Sequence, residues 1–140
     1  MPQVSRPTPA GGGRVIALTG EHSQGGNTYV GLGVYWSDDL GASWQHADGV
    51  PDGALGFRVT VDPAHPEIVY AATGKGLFRS EDAGASFVNV KLPVSEDCAG
   101  VEALGPCQFA NFVTDVVVKQ PGGTTDVECS ADGCPVLAAV

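Results

Sequence analysis

The feature that most constrains this chain is a near-copy of part of itself. Residues 34–44 read VYWSDDLGASW and residues 77–87 read LFRSEDAGASF, so that Ser37 and Ser80 stand 43 positions apart. Eleven consecutive positions share one frame: apolar, aromatic, any, Ser, acid, Asp, any, Gly, Ala, Ser, aromatic. A period of this length marks a chain built from stacked supersecondary units, each of which needs a neighbour to bury its apolar face. The segments upstream match as well. Residues 58–63 (RVTVDP) alternate and meet a turn proline, and residues 14–18 (RVIAL) take the corresponding place. Residues 68–74 (IVYAATG) are mirrored by residues 28–33 (TYVGLG). Each unit is therefore predicted as four short β-strands, over 57–61, 68–72, 76–80 and 86–90 in the second. β-Branched and aromatic residues fill the strands, with Gly, Pro and Asp between them. No stretch carries a 3.6-residue apolar period, so almost no helix is predicted.

A third unit begins at residue 112 and is lengthened by two insertions. Residues 112–121 resemble 56–63, and residues 135–140 resemble 67–72. Cys98 and Cys107 fall in the first insertion, Cys129 and Cys134 in the second. The first spacing is too wide for a zinc knuckle of the C-x₂₋₄-C kind. Two local disulfides, Cys98–Cys107 and Cys129–Cys134, fit better than free thiols or a metal site, because long loops gain from covalent closure. Disulfides place the chain outside the cytoplasm, extracellular or periplasmic.

Composition excludes several function classes. Sixteen acidic residues against seven basic ones give a net charge of −9, the wrong sign for tracking a nucleic-acid backbone or an anionic membrane surface. No run of 18 apolar residues is present to form a membrane span. Residues 1–13 (MPQVSRPTPAGGG) have no apolar core of the signal-peptide kind and read as a flexible leader.

The segment Ser37-Asp38-Asp39-Leu40-Gly41-Ala42-Ser43-Trp44 resembles the Asp-box, the S-x-D-x-G-x-[ST]-W repeat also called the BNR repeat. Ser80-Glu81-Asp82-Ala83-Gly84-Ala85-Ser86-Phe87 resembles a second copy, with Phe for Trp. The family includes sialidases, xyloglucanase-type glycosidases, sortilin-type receptors and non-enzymatic photosystem assembly factors. The resemblance implies an all-β fold of β-propeller blades. Two would be complete and four-stranded, at 14–48 and 54–92. A disulfide-closed insertion loop at 93–111 and a partial third blade at 112–140 would come after them. Propellers close with roughly four to eight blades, so this would be an incomplete one. The rest of the propeller in a longer chain, or another chain, is the expected partner.

Within each turn the residues have a physical reason. The Asp39 and Asp82 carboxylates can accept from the turn's backbone N–H groups, as Ser37 and Ser80 can more weakly. Gly41 and Gly84 can supply a positive φ. Trp44 and Phe87 are expected to bury a ring between neighbouring blades. These eight residues are read as structural. His22, His46 and His65 lie in presumed loops without metal-ligand spacing, and no metal or cofactor is expected. Gly74-Lys75-Gly76 is too short for a phosphate loop and reads as a β-turn.

Candidate chemistry comes from what the resemblance implies about the ligand face, where the loops between strands two and three and between blades would lie. The 94–110 insertion would bring Glu96, Asp97 and Glu102 there. Asp115 would stand at the start of the next inner strand, with Arg58 and Arg14 near the same level. Glycoside hydrolysis needs a pair of carboxylates, and Asp115 and Glu102 are the candidates. The arginine cluster of sialidases cannot be completed from Arg6, Arg14, Arg58 and Arg79. The expected function is a secreted carbohydrate- or protein-binding or scaffold module. The alternatives are a part of a glycoside hydrolase propeller, or a structural subunit of a larger assembly.

Overall fold

The computed structural model describes residues 13–22, 26–93, 98, 107, 109–120, 122 and 129–140. Among them are nine strands and no α-helix: β1 (Val15–Leu18), β2 (Val34–Ser37), β3 (Gln45–His46), β4 (Gly56–Val61), β5 (Val69–Thr73), β6 (Gly76–Ser80), β7 (Val88–Asn89), β8 (Asp115–Val118) and β9 (Val136–Ala139). They form three antiparallel sheets in chain order, β1-β2-β3, β4-β5-β6-β7 and β8-β9. Residues 1–12 of the leader, Glu96, Asp97 and Glu102 lie outside the described residues.

The second sheet has the four strands predicted for it, with Gly74 and Lys75 as the turn between β5 and β6. The first sheet corrects the sequence reading. Val15 pairs with Ser37 as Val69 pairs with Ser80. Strand β1 therefore stands where β5 stands, in the second place of its sheet and not the first. Residues 28–33 are not a strand but part of the long connection from β1 to β2. Their backbone is taken by loops: Gly31 N donates to Ala54 O, and Gly53 N donates to Gly31 O, at 2.8 and 2.9 Å. In the third sheet, Val118 pairs with Val136 as Val61 pairs with Val69, so β8 and β9 occupy the places of β4 and β5.

Packing follows from the strand period of two. Along β5, Val69 and Ala71 point into one core with Ile16, Leu18, Val34, Ala47, Phe78 and Phe87. Tyr70 and Ala72 point the other way, into a second core with Leu77, Val113, Val116, Val118 and Cys134. Both faces of the second sheet are covered, and all five residues of β5 are buried. The outer sheets each have one covered face. Phe87 is 4% exposed because the first sheet lies against it. Trp44 holds the same place in the first sheet, which has no described sheet ahead of it to lie against the ring, and it is 43% exposed. The expectation that both rings are buried fails at Trp44 for that reason.

Both cysteine pairs are bonded. Cys98–Cys107 lies on the path from β7 to β8, and Cys129–Cys134 on the path from β8 to β9.

Candidate functional site

The antiparallel order gives the sheets two rims of different character. One carries the turns after β2 and β6 and the connections β4–β5 and β8–β9. The other carries β1–β2, β5–β6 and the links between sheets.

On the first rim the two turns have one geometry. Ser37 Oγ donates to Asp39 Oδ1 at 2.7 Å and accepts from Gly41 N at 2.8 Å. Ser43 N donates to Asp39 Oδ1 at 2.8 Å and Ser43 Oγ to Asp39 Oδ2 at 2.6 Å. Ser80, Asp82, Gly84 and Ser86 repeat these bonds at 2.7, 2.8, 2.8 and 2.6 Å. The chain turns through two left-handed residues, Leu40 and Gly41 at φ 59° and 92°, and Ala83 and Gly84 at 58° and 86°. The hydroxyl of Ser37, then the hydroxyl and amide of Ser43, hold the Asp39 carboxyl down at about 2. Burial opposes ionisation of Asp82 as the largest single effect, yet the bonds from Ser86 and Ser80 together keep its carboxyl below the usual range. These oxygens are occupied by the turn's own donors, an arrangement suited to holding a turn.

The same rim ties the sheets together. Arg14 grips Asp38 through Nε and Nη2, each at 2.7 Å, stacks 4.0 Å over the Trp36 ring, and reaches Asp82 O and Ala83 O. Its bond to Asp38 raises the guanidinium above its ordinary value. Arg14 is thus at the opposite rim from Arg58, because β1 runs as a second strand and starts where β4 ends. Asp62 was legible only as a turn residue. It is fully buried; Oδ1 accepts from Ala64 N and His65 N, and Oδ2 accepts from Cys134 N at 2.7 Å. His65 is no free loop histidine, since Nε2 contacts Ser130 O at 2.7 Å. His46 likewise lies on β3, its Nε2 2.7 Å from Leu32 O. His22 is exposed.

The second rim is the candidate site. Arg58 and Asp115 hold matching positions on β4 and β8, opposite Ala72 and Ala139 respectively. Arg58 Nε lies 2.5 Å from Asp115 Oδ1, and the two side chains are 43% and 44% exposed. Asp115 Oδ1 also accepts from Val116 N at 2.8 Å. Phe57, beside Arg58, packs on Phe112 with ring centroids 5.8 Å apart, and Phe109 meets Phe112 edge-on at 4.9 Å. Phe109 is exposed, as are Tyr29, Val30 and Leu32 on the β1–β2 connection. Among the described residues no group of three or more His, Cys, Asp or Glu side chains could hold a metal ion.

No family model matches the sequence, and no curated protein matches it. Among solved structures, the chain is similar to the crystal structure of an ancestral GH74 enzyme, with a TM-score of 0.56 and 20% identity over 82% of this chain. The chain is a run of β-propeller blades. It is all-β and an incomplete propeller, with three, four and two described strands in its blades. It spans 15% of the length of that enzyme.

Proposed function

We propose that these blades belong to a secreted propeller that binds carbohydrate on the rim carrying Arg58 and Asp115. One observation carries the reading. This rim sets an ion pair nearly half open to solvent beside a cluster of three phenylalanines, whereas on the other rim Asp39 and Asp82 are held by their own turns. A few convergent polar groups beside aromatic rings suit a sugar, which offers hydroxyls at its edge and C–H groups on its face. The two disulfides support an oxidising compartment.

The likeness to a GH74 enzyme favours one further reading, that the parent propeller is a glycoside hydrolase. Hydrolysis needs two carboxylates flanking the bond. Asp115 supplies one, and Glu102 is the candidate for the other. The protein carrying these blades should be retarded in gels containing a soluble polysaccharide, and Phe109→Ala and Asp115→Asn should weaken that retardation about tenfold without lowering the melting temperature. Unchanged retardation in both variants would remove this rim as the binding surface. Hydrolysis of the same polysaccharides that disappears in Asp115→Asn would select the enzyme reading.

A further inference from the structure

Three arginines among the described residues stand beside a carboxylate, and two of them are fully engaged. Arg14 uses every nitrogen of its guanidinium: Nε and Nη2 bond Asp38, and Nη1 reaches Asp82 O and Ala83 O. Arg79 does the same, with Nε on Tyr70 Oη, Nη1 on Glu81 and Nη2 on Asp132 O. Both belong to the first rim, where they tie one blade to the next.

Arg58, on the second rim, is built differently. Its guanidinium meets Asp115 as an ion pair, Nε against Oδ1, and neither Nη nitrogen has a hydrogen-bond partner among the described residues. Asp115 is held through the same oxygen by Val116 N, and its Oδ2 accepts from no described residue. A guanidinium donates from each of its nitrogens, whereas an ionised carboxylate only accepts. One ion pair therefore offers free donors and a free acceptor together, on side chains nearly half open to solvent. Its charges cancel, so it has no net attraction for an anion. An anion on Arg58 would also stand against the Asp115 carboxylate, in a chain of net charge −9.

We propose that Arg58 and Asp115 act together as the specificity determinant of this rim, selecting a neutral sugar that presents two hydroxyls on adjacent ring carbons. One hydroxyl oxygen accepts from an Arg58 Nη group, and the neighbouring hydroxyl donates to Asp115 Oδ2. A hydroxyl can do either, so the pair reads the two as a unit. The exposed Phe109 ring, which meets Phe112 edge-on, takes the C–H face of the same or the next sugar. Sugars with capped hydroxyls lose the bond to Asp115, and sugars carrying a carboxylate are turned away by its charge. This selection rests on the reading that the rim binds carbohydrate, and it names the groups that are read.

The test measures retardation of the unsubstituted chain in gels containing a soluble glucan, mannan or galactan. Each is used in its native form, with its ring hydroxyls methylated, and with C6 oxidised to a carboxylate. At least one native polymer should retard the chain, and its methylated and oxidised forms should bind at least about tenfold more weakly. Arg58→Lys keeps a charge opposite Asp115 but removes the Nη donors, and should weaken binding of the native polymer about tenfold. The polymer series needs no variant, so it decides even where Arg58→Lys fails to fold. No retardation by any native polymer defeats the carbohydrate reading, and this selection with it. Equal retardation by native and methylated forms, with Phe109→Ala weakening both, leaves that reading standing and overturns the selection alone. Tighter binding of the oxidised form also overturns it, in favour of Arg58 as a fork for anions.

Discussion

The two Ser-x-Asp-x-Gly-x-Ser turns are alike in their side-chain bonds and unlike in the fate of the ring that leaves them. The distances around Asp39 and Asp82 agree. Yet Phe87 is 4% exposed and Trp44 43% exposed. The turn is a local object, fixed by side chains within seven residues of one another. Burial of the aromatic beyond it is a property of the preceding blade. The resemblance between the copies therefore reports a shared backbone and not a shared environment.

The sharpest way to break the comparison is at the rings. Phe87→Ala opens a hole between two blades and should cost about 3–5 kcal/mol. Trp44→Ala should cost about 1 kcal/mol or less, as for an exposed side chain. Denaturant midpoints of the two variants measure the gap, and equal losses would mean that Trp44 is covered in solution. A smaller difference is expected at the glycines. Both have positive φ, so alanine costs roughly 1–3 kcal/mol at either. At Gly84 the new methyl would also stand 2.8 Å from Ile16 Cδ1, whereas at Gly41 it meets the Trp44 ring at an ordinary 3.5 Å. Gly84→Ala should therefore lower the melting temperature more than Gly41→Ala.

The smallest effect is in acid. Both turn carboxyls titrate lower in the folded chain than in the unfolded one. Their contribution to stability is complete above the unfolded value of 3.8 and, for Asp39, is lost as the pH falls through about 2. Asp39→Asn should flatten the fall in melting temperature across that interval. Asp82→Asn should do the same and destabilise more at neutral pH, because its turn is pressed against Ile16 of the first blade. A pH profile identical to that of the parent chain in both variants would show that the carboxylates do not hold the turns.

The all-β repeat was legible because a turn of eight residues carries its own instructions. The place of β1 was not, since VIAL alternates equally well as a first or a second strand, and only its pairing with β2 decides. Residues 28–33 look like a strand in composition, but their bonds go to Thr19, Glu21, His46, Gly53 and Ala54. Asp62 reads locally as a turn residue, and the partner of its second oxygen is 72 positions away. Arg58 and Asp115 were each placed at the start of an inner strand. That they touch comes from two sheets lying side by side in register, which no local pattern contains.

One contrast bears on how such a chain can be altered. Between its second and third strands the first blade runs through residues 19–33, while the second blade uses Gly74 and Lys75 alone. Both arrive at the same turn with the same spacing. Positions 74–75 are thus where a foreign loop can be grafted onto the second blade. A single residue inserted between Ser80 and Phe87 would instead throw the ring out of step with Asp48 and unzip the seam.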